Sequence, residues 1–301
     1  MTSRRGFLRL GGGLLGLAAL GPARATAVVE KPIPSSGETL PVIGMGSWLT
    51  FDVGRLPGER EQRTQVLETF FALGGRLIDS SPMYGRAEEV IGEGLARLGR
   101  PSQLFAASKV WTPGRWLGAQ QMEASRRLWG VARFDLMQVH NLLDWEAHLE
   151  TLQEWKAAGR IRYLGVTTSH GRRHAELERI MRSRALDFVQ LTYNVRDREA
   201  EARLLPLAQE RGIVVIANRP FDGGGLFPAV RGKALPPWAA EAGCANWAQF
   251  FLRSAVSHPA VTCAIPATSR VAHMEENMGA AQSPLPEPAL RERMLRHFLS
   301  L

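Results

Sequence analysis

Asp79, Lys109 and His140 each close a short apolar run: Leu77-Ile78, Leu104-Phe105-Ala106-Ala107 and Leu136-Met137-Gln138-Val139. They follow one another at intervals of about 30 residues, the length of one strand-helix unit. A single charged residue ending a strand is usually just solvated, but three in register at equivalent places point to one shared site. Tyr84 lies five residues past Asp79, in a loop with Pro82, Met83 and Gly85, so its ring can fold back over the same place. A phenol with a pKa of about 10 is a weak proton donor. The ammonium of Lys109 beside it favours the phenolate and is expected to make the hydroxyl more acidic. Asp79 is expected to pair with Lys109, and His140 to hydrogen-bond a substrate oxygen or relay a proton. Such a set suits hydride addition to a carbonyl, with Tyr84 protonating the alkoxide.

Positioning these residues requires strands whose carboxyl ends face one way. Further apolar runs at Tyr163–Val166, Phe188–Leu191, Ile213–Ala217 and Val261–Ile265, with Pro41–Gly46, bring the candidate strands to eight. Between them lie helical patterns: Val66, Phe70 and Leu73 share one face, as do Ile91, Leu95 and Leu98. Several helices end at Gly74-Gly75, Gly99, Gly159 or Gly212, where left-handed caps are expected. Alternating strand and helix implies a parallel sheet. Eight units over about 250 residues imply an α/β fold of the closed (β/α)₈ TIM-barrel type, a single domain over residues 28–301, with its site at the strand carboxyl ends.

The formal charge of +8 does not mark a nucleic-acid binder. Four of the 37 basic side chains, Arg4, Arg5, Arg9 and Arg24, fall in residues 1–27 with no acid, and the rest of the chain nearly balances its 29 acids. Arg4-Arg5 precede an apolar Leu10–Leu20 run and the small-residue site Ala23-Arg24-Ala25, the pattern of a twin-arginine signal peptide. The run is shorter than the ~20 residues of a spanning helix. Residues 1–27 are therefore expected to direct export to the periplasm by the Tat machinery, with no stable membrane insertion. Cys244 and Cys263 are expected to be buried free thiols, and no cysteine or histidine spacing suggests a metal.

The segments GGRLIDSSPMYG, AASKVW and LMQVHN resemble, in order and spacing, the active-site signatures of the aldo-keto reductases. The likeness runs from PVIGMGSW near residue 41 to IPATSRVAHMEEN near residue 265. It implies a (β/α)₈ barrel that binds NADPH, less often NADH, extended across its mouth. Gly44-x-Gly46 and Gly92-x-Gly94 are then not a Rossmann fingerprint but a tight barrel strand and a close helix contact. By the resemblance, Gln190 bonds the nicotinamide carboxamide, assisted by Thr167 and Thr168, the latter replacing the usual amide. Asn218, followed by Arg219, stands where many members stack a tyrosine on the ring. Phe221, Gly223 and Gly225 belong to the stretch over the pyrophosphate. Thr268, Glu276 and Asn277 are kept at the adenosine end. There Ala267 and His273 replace a lysine and an arginine, and Arg270 is the candidate for the 2′-phosphate. Trp48 and Trp111 are expected to wall the substrate pocket, with Asn141 in place of an aromatic common in some subfamilies.

The expected function is reduction of aldehydes or ketones by an NADPH-dependent carbonyl reductase. A non-catalytic nicotinamide-binding sensor or regulatory subunit on the same barrel is the alternative, and turnover discriminates the two. A lyase or isomerase on a barrel fits less well with the cofactor-like positions of Gln190 and Asn277. Because NADPH is scarce outside the cytoplasm, an exported enzyme is expected to leave folded with its cofactor bound.

Overall fold

The computed structural model describes residues 28–301; the expected leader, residues 1–27, lies outside them. The chain enters through an antiparallel hairpin, β1 (Glu30–Pro32) and β2 (Thr39–Pro41). Eight parallel strands follow in sequential spatial order: β3 (Met45–Gly46), β4 (Leu77–Asp79), β5 (Phe105–Val110), β6 (Phe134–Val139), β7 (Ile161–Thr167), β8 (Phe188–Thr192), β9 (Val214–Asn218) and β10 (Val261–Ala264). Parallel bridges from Ile43 to Ala264 and from Gly46 to Ala267 bring the last strand back to the first. All eight expected strands are present. Their first member is shorter than Pro41–Gly46, because Pro41 belongs to the hairpin and only Met45–Gly46 pairs with β4 as a ladder.

The helices α1 (Pro57–Ala72), α2 (Ala87–Arg97), α3 (Arg115–Trp129), α4 (Trp145–Ala157), α5 (His174–Ser183), α6 (Leu204–Arg211), α7 (Phe227–Val230), α8 (Trp247–Val256), α9 (Val271–Gly279) and α10 (Pro288–Leu299), with short 3₁₀ turns in the loops, complete the described elements. Val66, Phe70, Ile91 and Leu95 face the core as their spacing predicts. Gly74, Gly99, Gly159 and Gly212 have φ between 63° and 87°, the left-handed region that glycine enters without penalty. Gly92 lets α2 and α3 touch: a Cβ there would lie 1.8 Å from the Leu128 carbonyl oxygen. Among the described residues no helix is long and apolar enough to cross a membrane.

Side-chain alternation along the strands builds the site. The inward set at the lower level is apolar: Leu77, Phe105, Leu136, Tyr163, Phe188 and Val214 form one buried cluster, into which Ile33 and Leu40 of the hairpin pack. Moving up by steps of two residues on the same strands gives Asp79, Lys109, Gln138, Thr167, Gln190 and Asn218. The barrel therefore carries an oily lower interior and a polar upper layer. Outward residues tie the strands to the helices. Ser108, next to Lys109, donates to the buried Glu88 carboxylate at 2.6 Å, which also accepts from Ser125 at 2.7 Å and Trp129 at 3.2 Å. Cys244 and Cys263 are both free and buried.

Candidate active site

Asp79 is the hub of the polar layer. Its Oδ2 accepts from Lys109 Nζ at 2.5 Å. Its Oδ1 accepts the amides of Gln190 at 2.9 Å and Gln138 at 3.1 Å. Lys109 also donates to the Ser80 carbonyl at 2.8 Å and is fully buried. Burial works to discharge this ammonium, but Asp79, and after it Tyr84, outweigh that effect and hold its pKa above the usual lysine value. The polar layer thus holds the Lys109 positive charge in place, pinned by a carboxylate that is itself clamped by two amides.

Tyr84 sits over this charge, with Lys109 Nζ 5.1 Å from its ring centroid. The Tyr84 and His140 rings meet edge to face, centroids 5.7 Å apart. The expectation that Lys109 makes the phenol more acidic holds for the sign of that one interaction and fails for the net result. Burial, the largest influence, raises the Tyr84 pKa, Lys109 lowers it, and the Asp79 charge raises it again, which leaves it above the ordinary tyrosine value. His140 is also more restricted than expected. Burial, then the Lys109 charge, pushes its pKa down to about 2, so the imidazole is neutral and does not act as a charged proton relay. It remains a hydrogen-bonding group.

These residues form the floor of a cavity of about 480 Å³. Asp79, Tyr84, His140, Thr167, Thr168, Gln190, Asn218, Arg219, Phe221, Gly223, Trp48 and Asn141 all line it, as expected from sequence. Lys109 lies beneath the lining, below Tyr84. Gly225 is outside the lining, where Gly224 appears instead. Trp111, expected as a second aromatic wall, is not among the residues that line the cavity; its backbone N–H and carbonyl are held by the Gln121 side chain at 2.6 and 3.1 Å. Thr268, Arg270, Glu276 and Asn277 also lie outside the cavity, beyond Ile265, Pro266 and Ala267, which line it.

Several lining groups already have bonds. Gln190 spends its N–H on Asp79, Thr167 Oγ1 accepts the Asn141 N–H at 3.1 Å, and Asn218 is held by Thr192 at 2.7 Å and the Thr168 carbonyl at 2.8 Å. Asn218 is thus a fixed amide plate where an aromatic ring was missing from the sequence. Two lining residues keep unsatisfied buried atoms: Thr168 Oγ1 and Arg219 Nε have no hydrogen-bond partner among the described residues. A carboxamide and a phosphate are ligand groups that would satisfy a hydroxyl and a guanidinium in these places. Gly223 and Gly224 have φ of 63° and 94° beside them, giving a loop backbone that follows a ligand closely.

Sequence reasoning missed Gln138, Ser81, His170 and Arg172. Gln138 was readable, since it shares strand parity with Leu136 and so must point inward. Ser81 carried no signal beyond its nearness to Asp79. His170 and Arg172 line the cavity from the loop after β7, which has no periodic pattern.

A model of the aldo/keto reductase family matches residues 42–292. Methylglyoxal reductase YeaE of Escherichia coli (strain K12) is 30% identical over 256 residues, covering 82% of this chain and 88% of its own length. The NADH-specific methylglyoxal reductase of the same organism is 26% identical over 243 residues, 68% and 71% of the two chains. An aldo-keto reductase from Klebsiella pneumoniae, solved in complex with NADPH, shares the fold at a TM-score of 0.72 and 24% identity, covering 90% of this chain and 95% of that one.

Proposed function

The chain belongs to the aldo/keto reductase family, and from that premise we propose that it reduces aldehydes or ketones to alcohols with NADPH, NADH being the alternative cofactor. The observation that carries the reading is the buried Lys109–Asp79 pair directly under the Tyr84 ring at the floor of the cavity. When bound, NADPH supplies the hydride. The protein's part is to hold the carbonyl oxygen between Tyr84 and His140 and to deliver a proton to it.

In this reading Tyr84 is the proton donor. Its raised pKa keeps it protonated at neutral pH, as a donor must be. Lys109 offsets the negative charge that appears on the phenol oxygen as the proton leaves, in a site too dry for water to do so. Asp79 keeps Lys109 in place, and neutral His140 donates a hydrogen bond to the same substrate oxygen. Thr168, Gln190 and Asn218 are assigned to the nicotinamide end, and Arg219, Phe221 and Gly223 to the pyrophosphate. Arg270, Thr268, Glu276 and Asn277 are assigned to the adenosine end. Trp48, Met83 and Phe227 give the mouth apolar walls for the substrate. Small oxoaldehydes such as methylglyoxal are the first substrates to try, given the relatives' names.

Tyr84→Phe tests the reading. NADPH consumption with an aldehyde panel is expected to fall by at least about a hundredfold, with NADPH affinity retained. Near-normal turnover would remove Tyr84 from its role, and tight NADPH binding by a wild type inert to every carbonyl would favour a sensor. On the Arg4-Arg5 motif we also propose periplasmic export by the twin-arginine route with cofactor already bound. Fractionation of cells carrying Arg4→Lys with Arg5→Lys is expected to find the chain retained in the cytoplasm.

A further inference from the structure

Ser81 is fully buried, and its Oγ lies 2.8 Å from Nδ1 of His140. The same oxygen accepts the N–H of Met83 at 3.3 Å, and the Ser81 carbonyl accepts the N–H of Tyr84 at 3.0 Å. Ser81 therefore opens the turn that carries Tyr84 to the mouth and touches the second polar group of the site with its side chain.

A hydroxyl has one proton and two lone pairs, and a neutral imidazole has one N–H and one bare nitrogen. If Nδ1 carried the proton, Ser81 Oγ would accept from both His140 and Met83, and its own proton would have no acceptor among the described residues. If Ser81 donates to Nδ1, every group is used: the proton on His140, a lone pair on Met83. The ring's proton then resides on Nε2, which has no hydrogen-bond partner among the described residues, on a ring that lines the cavity.

We propose that Ser81 is a positioning residue that donates its hydroxyl to His140 Nδ1, fixes the Nε2–H tautomer, and so presents a donor to the substrate oxygen. The assignment rests on the reading of His140 as a group that contacts that oxygen. The opposite tautomer would present a lone pair to the carbonyl oxygen, a repulsive contact in a buried site.

The test is made on the full chain labelled with nitrogen-15 histidine, without substrate, reading the tautomer from long-range proton–nitrogen correlations. His140→Gln identifies the signal. Expected are a bare Nδ1 and a protonated Nε2 in the wild type, loss of that single tautomer in Ser81→Ala, and its return in Ser81→Thr. Aldehyde kcat/KM is expected to fall about five- to tenfold in Ser81→Ala, the loss of one buried hydrogen bond, mostly in kcat, and to recover in Ser81→Thr. A proton on Nδ1 in the wild type, which needs no variant to fold, overturns the assignment. So does an unchanged Nε2–H tautomer in Ser81→Ala. A lost tautomer with undiminished turnover upholds Ser81 as the tautomer-setting residue and refutes the part given to His140, so the two readings fail separately.

Discussion

Replacing Asp79 by Asn removes one charge from a pair in which Lys109 is fully buried and Asp79 is 2% exposed. The ammonium keeps only the Ser80 carbonyl, and the new amide must turn its N–H₂ toward either Lys109 or the N–H groups of Gln138 and Gln190. Breaking a buried pair from one side costs about 3–5 kcal/mol. For a barrel of this size, at roughly 2 °C per kcal/mol, Tm is expected to fall by about 6–10 °C in differential scanning calorimetry at pH 7. In the wild type Lys109 titrates above its ordinary value, so its stabilisation is complete below about pH 10 and fades as pH rises through the raised value. In the variant burial is opposed by Tyr84 without Asp79, so Lys109 is expected to titrate below its ordinary value. The penalty is then full below that lowered value and fades as pH climbs from it toward about 10. The Tm gap between the two proteins should therefore narrow from pH 7 to pH 10. Adding Lys109→Met removes the stranded charge and should recover most of the lost Tm with no recovery of turnover. A gap below about 2 °C at pH 7, or one that does not change with pH, would refute this account of the buried pair.

Thr168→Val removes a buried hydroxyl that has no partner. Tm should change by less than about 2 °C while NADPH affinity weakens about threefold to tenfold, measured by fluorescence titration; unchanged affinity would take Thr168 out of the cofactor site. Because burial and Lys109 hold His140 at about 2, its ring signals should not titrate between pH 5 and 8, and a midpoint near 6.5 would contradict its neutral state. The neutral imidazole contributes no instability above pH 6.5, and stability is drawn down as pH falls from there toward 2. Gly92→Ala puts a methyl group against the Leu128 carbonyl and should lower stability by about 1–3 kcal/mol in urea unfolding, by forcing α2 and α3 apart.

The eight strands were legible because a buried parallel strand is a local signal: a short apolar run ended by a polar residue. The near-constant interval from Asp79 through Lys109 to His140 was legible for the same reason, since each unit repeats one strand and one helix. Gln138 was available from strand parity alone and was overlooked, while Trp111 shows the limit of such reasoning. It follows the same strand as Lys109, but it is not among the residues that line the cavity, and its backbone is bound by the Gln121 side chain. Arg270 is picked out by its place in a motif, whereas Arg172, which lines the cavity with Arg219 from the loops after β7 and β9, carries no such local signal.

By itself, then, the sequence determined which residues stand at the carboxyl ends of the strands, because that follows from alternation and spacing within tens of residues. Tertiary structure alone decided what those residues are as acids and bases. Whether Tyr84 is made more or less acidic depends on burial set against the charge of Lys109, a residue on the next strand, and in the folded barrel the net shift is upward. The state of His140 depends on the same Lys109 and on a serine 59 residues distant. Desolvation and hydrogen bonding are properties of neighbours in space, and closure of the barrel is what makes these residues neighbours.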